Sequence, residues 1–178
     1  LSMLRILDNP KQDIPLTAVL RSPMAGLNDE ELGLLRLRER NVRFYVCVQQ
    51  ACEEALEKAG KEPLNPLEKK LADFYRTYRR LRALVPDTPI HELIELLLKE
   101  TGYGDYAAAM PAGARRKANL EMLVEKAIAY ENTSYKGLFH FVRYIDELQK
   151  YDVDFGEADL TSENEDVVRI MSIHKSKG

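Results

Sequence analysis

The sequence predicts an all-α, multi-helix domain of about seven to eight helices with one short C-terminal strand. Three observations point there. Apolar residues recur three and four positions apart through most of the chain, as on one face of a helix. Asn and Pro stand together where such a run begins, as at Asn65-Pro66, and Gly stands where runs end, as at Gly60 and Gly102. Strand-like alternation is confined to residues 167–173.

Residues 1–7 form an apolar stretch that ends at the turn-forming cluster Asp8-Asn9-Pro10. Asp13 is placed to cap a short helix opening with Ile14 and Pro15, with Leu16, Val19 and Leu20 on one face; it stops before Ser22-Pro23. Residues 24–27 read as a tight turn. Asn28 is an N-cap for a helix over 29–40 whose apolar stripe is Leu32, Leu34 and Leu35. A helix over 44–59 ends at Gly60. Asn65 caps the next, with Pro66 first and Leu67, Leu71, Phe74, Tyr78, Leu81 and Leu84 at helical spacing up to Pro86. Thr88 is the expected cap of another, with Pro89 first and Ile90, Leu93, Ile94, Leu97 and Leu98 inward until Gly102. Residues 103–110 are a short Ala-rich connector. A helix over 114–131 carries Leu120, Leu123, Val124, Ala127 and Ile128, and one over 136–151 presents Leu138, Phe139, Phe141, Val142, Ile145 and Leu148.

The strand over 167–173 alternates Val168, Ile170 and Ser172 with Val167, Met171 and Ile173. A lone strand is not stable, so its sheet partners are expected outside this sequence. No repeat of solenoid length occurs.

With 178 residues the chain is long enough to bury a core. Hydrophobic content of 45% with 31% charged excludes a disordered or collagen-like chain. No apolar run approaches the roughly 20 residues that cross a bilayer, and the first residues lack the pattern of a secretory signal. Cys47 and Cys52 fall on different faces of a helix, making neither a metal knuckle nor a disulfide framework; a reducing, cytoplasmic setting is expected. The formal charge of −3 comes from 26 Lys+Arg and 29 Asp+Glu. Residues 152–166 hold seven of those acids and no Lys or Arg, which leaves 26 bases against 22 acids, or +4, elsewhere. The acidity is local and leaves a polyanionic partner open.

Catalytic constellations are absent. The sequence has no G-x-x-x-x-G-K-[ST], no G-x-G-x-x-G and no H-E-x-x-H. His91, His140 and His174 are far apart; His91, in the first turn of a helix, is expected at the surface, and His140, between Phe139 and Phe141, as a satisfied rim histidine. Acidic groups such as Glu53/Glu54 and Asp29–Glu31 fit solvated faces and helix N-termini. This stretch of chain is expected to catalyse nothing by itself. Three basic clusters could meet phosphate: Arg36, Arg38, Arg40 and Arg43; Arg76, Arg79, Arg80 and Arg82, interleaved with Tyr75 and Tyr78; and Arg115, Arg116 and Lys117, which open a helix where cations oppose its dipole.

The two ends carry a family likeness. Residues 170–178, Ile-Met-Ser-Ile-His-Lys-Ser-Lys-Gly, resemble motif V of superfamily 1 DNA helicases of the UvrD/RecB type: a strand leading into [TS]-x-H-x-[AS]-K-G. Ser172, His174, Ser176, Lys177 and Gly178 match, and the His-Lys-Ser-Lys-Gly variant looks most like the AddA branch. Asn9-Pro10-Lys11-Gln12-Asp13 resembles the N-P-x-x-D element of the same helicases, and residues 14–23 look AddA-like. Residues 23–28 occupy the place of a P-x-R-G-I-G hairpin, but Ala25 stands for the Arg and Asn28 for the second Gly.

The resemblance implies a division of the chain. Residues 1–22 would flank the RecA-like domain 2A, 23–151 would be the helical 2B subdomain, 152–166 an acidic return linker, and 167–178 the strand and start of motif V. It implies a piece of an ATP-dependent helicase with exonuclease activity in double-strand-break repair, with ATP and Mg²⁺ bound elsewhere in the parent. Ser172, His174, Lys175, Lys177 and Gly178 would lie on the single-strand path. The helices would orient duplex DNA, with Gly26, Asn28, Arg36, Arg40, Arg115, Arg116 and Lys117 as backbone contacts, or would dock an AddB-like partner subunit without touching DNA.

Overall fold

The computed structural model describes residues 1–133 and 137–150, the Lys150 side chain excepted. Among these lie nine α-helices and no strand. The expected strand at 167–173 and the linker at 152–166 lie outside the described residues.

α1 (Ser2–Asp8) sits at the centre. Met3, Leu4, Ile6 and Leu7 are all buried as one broad apolar stripe, while Ser2, Arg5 and Asp8 share the opposite, half-buried side. It packs against α2 (Asp13–Arg21), α5 (Pro66–Leu84) and α9 (Leu138–Lys150). Tyr78 on α5 donates its hydroxyl to the Ile6 carbonyl at 3.2 Å, and Arg5 pairs with Asp146 on α9 at 2.5 Å.

α4 (Phe44–Lys58) and α5 lie along one another. Small residues on α4, Ala51, Cys52 and Ala55, let the backbones approach, and Leu71, Phe74 and Leu81 of α5 are buried in the same core. Burial of side chains such as Leu71 and Leu81 is worth roughly 1.5–3 kcal/mol each. α3 (Asp29–Leu37) covers α2 and α4. On the other flank, α8 (Gly113–Glu131) packs on α6 (Ile90–Thr101) and α7 (Tyr103–Ala109), and α6 joins this group to α5. One buried cluster runs from Met3 to Ile145, so no break in packing marks residue 22: Leu16, Val19 and Leu20 share it with Leu27 and Leu35.

The structure corrects several local expectations. Residues 2–8 and 103–109 are helical in their own right. Asp13 is the first residue of α2, with Gln12 at the N-cap and no side-chain cap. Its carboxylate turns away to accept the Phe44 and Tyr45 N–H groups at the start of α4. Thr88 does not cap α6 either: Pro89 holds the N-cap position, and Glu131 on α8 accepts the Ile90 N–H and pairs with the His91 ring. His91 is therefore half-buried instead of standing free at the surface. α3 ends at Leu37 rather than residue 40, because the Arg36 guanidinium gathers the Val42 and Arg40 carbonyls and turns the chain.

Three side chains expected inward face out: Leu34 at 58% exposure, Ile128 at 45% and Phe139 at 48%. Each lies one residue from a buried position (Leu35, Ala127, Leu138), a rotation of about 100° that carries it off the stripe. Cys47 and Cys52 are both buried and free, on different sides of α4: the Cys47 thiol faces the Glu39 carbonyl at 3.4 Å, while Cys52 lies in the core.

Candidate nucleic-acid interface

The expected contacts at Gly26 and Asn28 lie in the turn between α2 and α3. The turn is closed by Ser22, whose carbonyl accepts the Ala25 and Gly26 N–H groups, and by the Leu27 N–H to the Leu20 carbonyl at 2.9 Å. Gly26 has a φ of 68°, the left-handed conformation that glycine adopts freely, and is exposed. Asn28 and Glu31 form a reciprocal capping box, each side chain accepting the other's N–H at 2.8 Å. The box uses N–H groups that an anion would otherwise find, and Asp29, Glu30 and Glu31 put three carboxylates in the first turn. The Lys70 ammonium, and after it the Asn28 N–H, hold the Glu31 carboxyl below the ordinary carboxylate range.

At the far end of α3 the basic cluster divides by role. Arg36 donates to the Val42 carbonyl at 2.6 Å and to Arg40 at 3.1 Å, so it positions the 38–43 loop. Arg38 pairs with Glu54 on α4. Arg40 and Arg43 are exposed on that loop.

The third cluster sits on a tight corner. Ala112 has a φ of 57°, and a Cβ on Gly113 would lie 1.8 Å from the Ala108 carbonyl oxygen, so only glycine fits there. The corner turns Arg115, Arg116 and Lys117 outward at the start of α8, all exposed. Arg116 donates to the Pro111 carbonyl at 3.1 Å, and Lys117 faces Glu121 at 3.8 Å.

The α5 arginines are exposed, and each is engaged by a neighbour. Arg76 pairs with Asp73 at 2.9 Å and Arg80 with Glu100 at 3.0 Å; Arg79 lies over the Tyr75 ring, and Arg82 donates to the Tyr78 hydroxyl at 2.8 Å. Burial, with the Glu53 carboxylate it bonds, pushes the Tyr75 phenol up to about 12. α3 packs on α2 and α4, and α8 on α6 and α7, so the first and third clusters ride on different helices. Ser172, His174, Lys175, Lys177 and Gly178 lie outside the described residues. Among the described residues no three His, Cys, Asp or Glu side chains converge to hold a metal. Nor is any described helix long and apolar enough to cross a membrane.

What sequence reasoning missed is tertiary: the caps given by Asp13 and Glu131, and the Lys70–Glu31 bridge between α5 and α3. Their only sequence signal is an acid at a helix end, which is too common to single them out.

The described residues define an all-α helical body with exposed cations at two helix ends, and comparison with known proteins says what it is similar to. No protein-family model matches the chain. Curated relatives match along all of it: a Clostridium kluyveri protein at 46% identity over 180 residues, a Bacillus velezensis protein at 43% over 178, and a Lachnoclostridium phytofermentans protein at 40% over 215. Each is named as the A subunit of an ATP-dependent helicase/nuclease. The chain spans 15%, 14% and 16% of their respective lengths. Along its whole length the chain is homologous to one segment of these helicase/nuclease A subunits, AddA.

Proposed function

We propose that this chain is the helical 2B-type part of an ATP-dependent DNA helicase/nuclease that acts in double-strand-break repair and recombination, and that it orients duplex DNA without being catalytic. One observation carries the reading: similarity at 40–46% identity, over the whole chain, to proteins named as helicase/nuclease A subunits. Residues 1–22 and 167–178 are then the flanks of a RecA-like domain, with α1 and α2 seating the helical body on it. Ser172, His174, Lys175, Lys177 and Gly178 belong to the single-strand path.

ATP and Mg²⁺ do not fit the residues at hand. The sequence holds no phosphate loop, and no metal-binding cluster forms among the described residues. We place both groups elsewhere in the parent and assign them no step.

For backbone contacts the exposed cations Arg40, Arg115, Arg116 and Lys117 are favoured. Arg36 supports them by fixing the loop that carries Arg40. Gly26 and Asn28 contribute the turn; the three carboxylates beside them repel phosphate, which leaves them the weaker contacts. The rival reading, docking of a second polypeptide without DNA contact, draws on the relatives being named as subunits.

Fluorescence anisotropy of a labelled duplex across a salt series separates the two. Phosphate contact predicts an affinity that falls steeply with salt, with a log–log slope reduced by about 1 for each of Arg40→Ala, Arg115→Ala and Lys117→Ala. Absence of binding at low salt, together with capture of an AddB-like partner, favours docking.

A further inference from the structure

We infer that the groove between α6, α7 and α8 is a docking surface for a cationic amphipathic helix of a protein partner. This does not rest on the DNA reading. The groove encloses about 560 Å³, room for several aliphatic side chains. Its floor is apolar, formed by Leu98 of α6, Ala108 of α7, and Leu120 and Val124 of α8. These leucines and the valine are only half-buried, so a share of their surface awaits cover.

The rim fixes the chemistry of the occupant. Glu95, Asp105, Glu121 and Glu125 are all exposed around that floor. Lys117 is the cation in the lining, and it faces Glu121. Among the described residues no cation pairs with Glu95, Asp105 or Glu125. Four carboxylates against one ammonium attract Lys or Arg heads, whose aliphatic stems can lie along the leucines.

Geometry favours a helix. A trough bounded by helices accepts apolar anchors spaced three and four residues apart. Its width is preset: the Ala112–Gly113 corner locks α7 against α8, with Gly113 packed on Ala108. A preformed groove loses little on ordering, so more of the contact energy appears as affinity.

The test is methyl NMR on the full 178-residue chain, titrated with a short helical peptide bearing Leu at helical spacing flanked by Lys. The control is the same peptide with Glu for Lys. The Lys peptide is expected to shift the Leu98, Leu120 and Val124 methyls saturably, and the Glu peptide to leave them in place. The triple substitution Glu95→Gln, Asp105→Asn, Glu125→Gln should weaken the Lys peptide at least about tenfold. Should that variant fold poorly, raising the salt on the unsubstituted chain should give the same weakening. Methyls that ignore the Lys peptide, or that respond equally to the Glu peptide, would overturn the proposal.

Discussion

Asp13 caps a helix it does not belong to: its carboxylate accepts the Tyr45 N–H at 3.0 Å, across 32 residues of sequence. Glu131 does the same for α6 through Ile90, 41 residues away. In both cases a helix that lacks a capping side chain of its own borrows one from a neighbour in space, so the start of that helix and the packing of its neighbour depend on each other.

Replacing Asp13 by Ala is therefore expected to destabilise the domain by about 1 kcal/mol, the usual cost of a lost N-cap. For a domain of this size the melting temperature should fall by roughly 2–4 °C. Asp13→Asn retains an acceptor oxygen and should lose less. Equal losses in calorimetry would show that charge, not the hydrogen bond, is what counts.

Glycine positions separate sharply. Gly113→Ala drives a methyl into the Ala108 carbonyl, and the backbone shift needed to relieve it should cost about 1–3 kcal/mol. Gly33 lies inside α3, with nothing within 4 Å of a Cβ. Gly33→Ala should stabilise by about 0.5–1 kcal/mol. Urea titration of the two variants should move the midpoint in opposite directions.

Acid sensitivity should trace to two capping boxes. The Lys70 ammonium and then the Asn28 N–H hold Glu31 below its ordinary 4.5; Lys58 and then the Asn65 N–H do the same for Glu68. A carboxylate whose pKa is depressed in the fold stabilises it above the unfolded pKa, and that contribution drains away as pH falls through the folded value. The acid limb of the melting-temperature profile should therefore be shallower in a Glu31→Gln, Glu68→Gln double variant than in the unsubstituted chain. Superimposable limbs would refute this. Lys58, held above 10.5 by Glu68, gives the opposite sign: its contribution is present below 10.5 and lost as pH rises through the folded value.

Neither thiol should react in the folded protein. Cys47 and Cys52 are fully buried, and burial, with Glu53 nearby, pushes the Cys52 thiol up to about 12. A disulfide reagent at pH 8 should titrate no thiol until denaturant is added, and then both. Rapid labelling of the native chain would mean that α4 opens locally.

Much of the architecture was legible because it is written in short-range chemistry. Asn28 and Asn65 cap as their side chains and the Glu three residues on demand, and the Leu71–Phe74–Tyr78–Leu81 spacing fixes which face of α5 is buried. What misled was also short-range. Asp13 and Thr88 stand where caps usually stand, yet the oxygens that satisfy α4 and α6 come from other helices. Leu34 and Phe139 are apolar, but a turn of one residue leaves them outside. The basic clusters were visible as composition, whereas their division into exposed members and members tied to the fold was not. That Arg36 ties down a loop and Arg82 serves Tyr78 depends on carbonyls and hydroxyls that only the folded chain brings near.

Arg5 and Asp146, 141 residues apart, hold α1 against α9, and Leu1 and Gln149 line one depression on that seam. Leu1 and the last turn of α9 thus lie side by side. A load applied between those two points falls first on the α1–α9 seam and passes through α1 to α2 and α5, which pack on it.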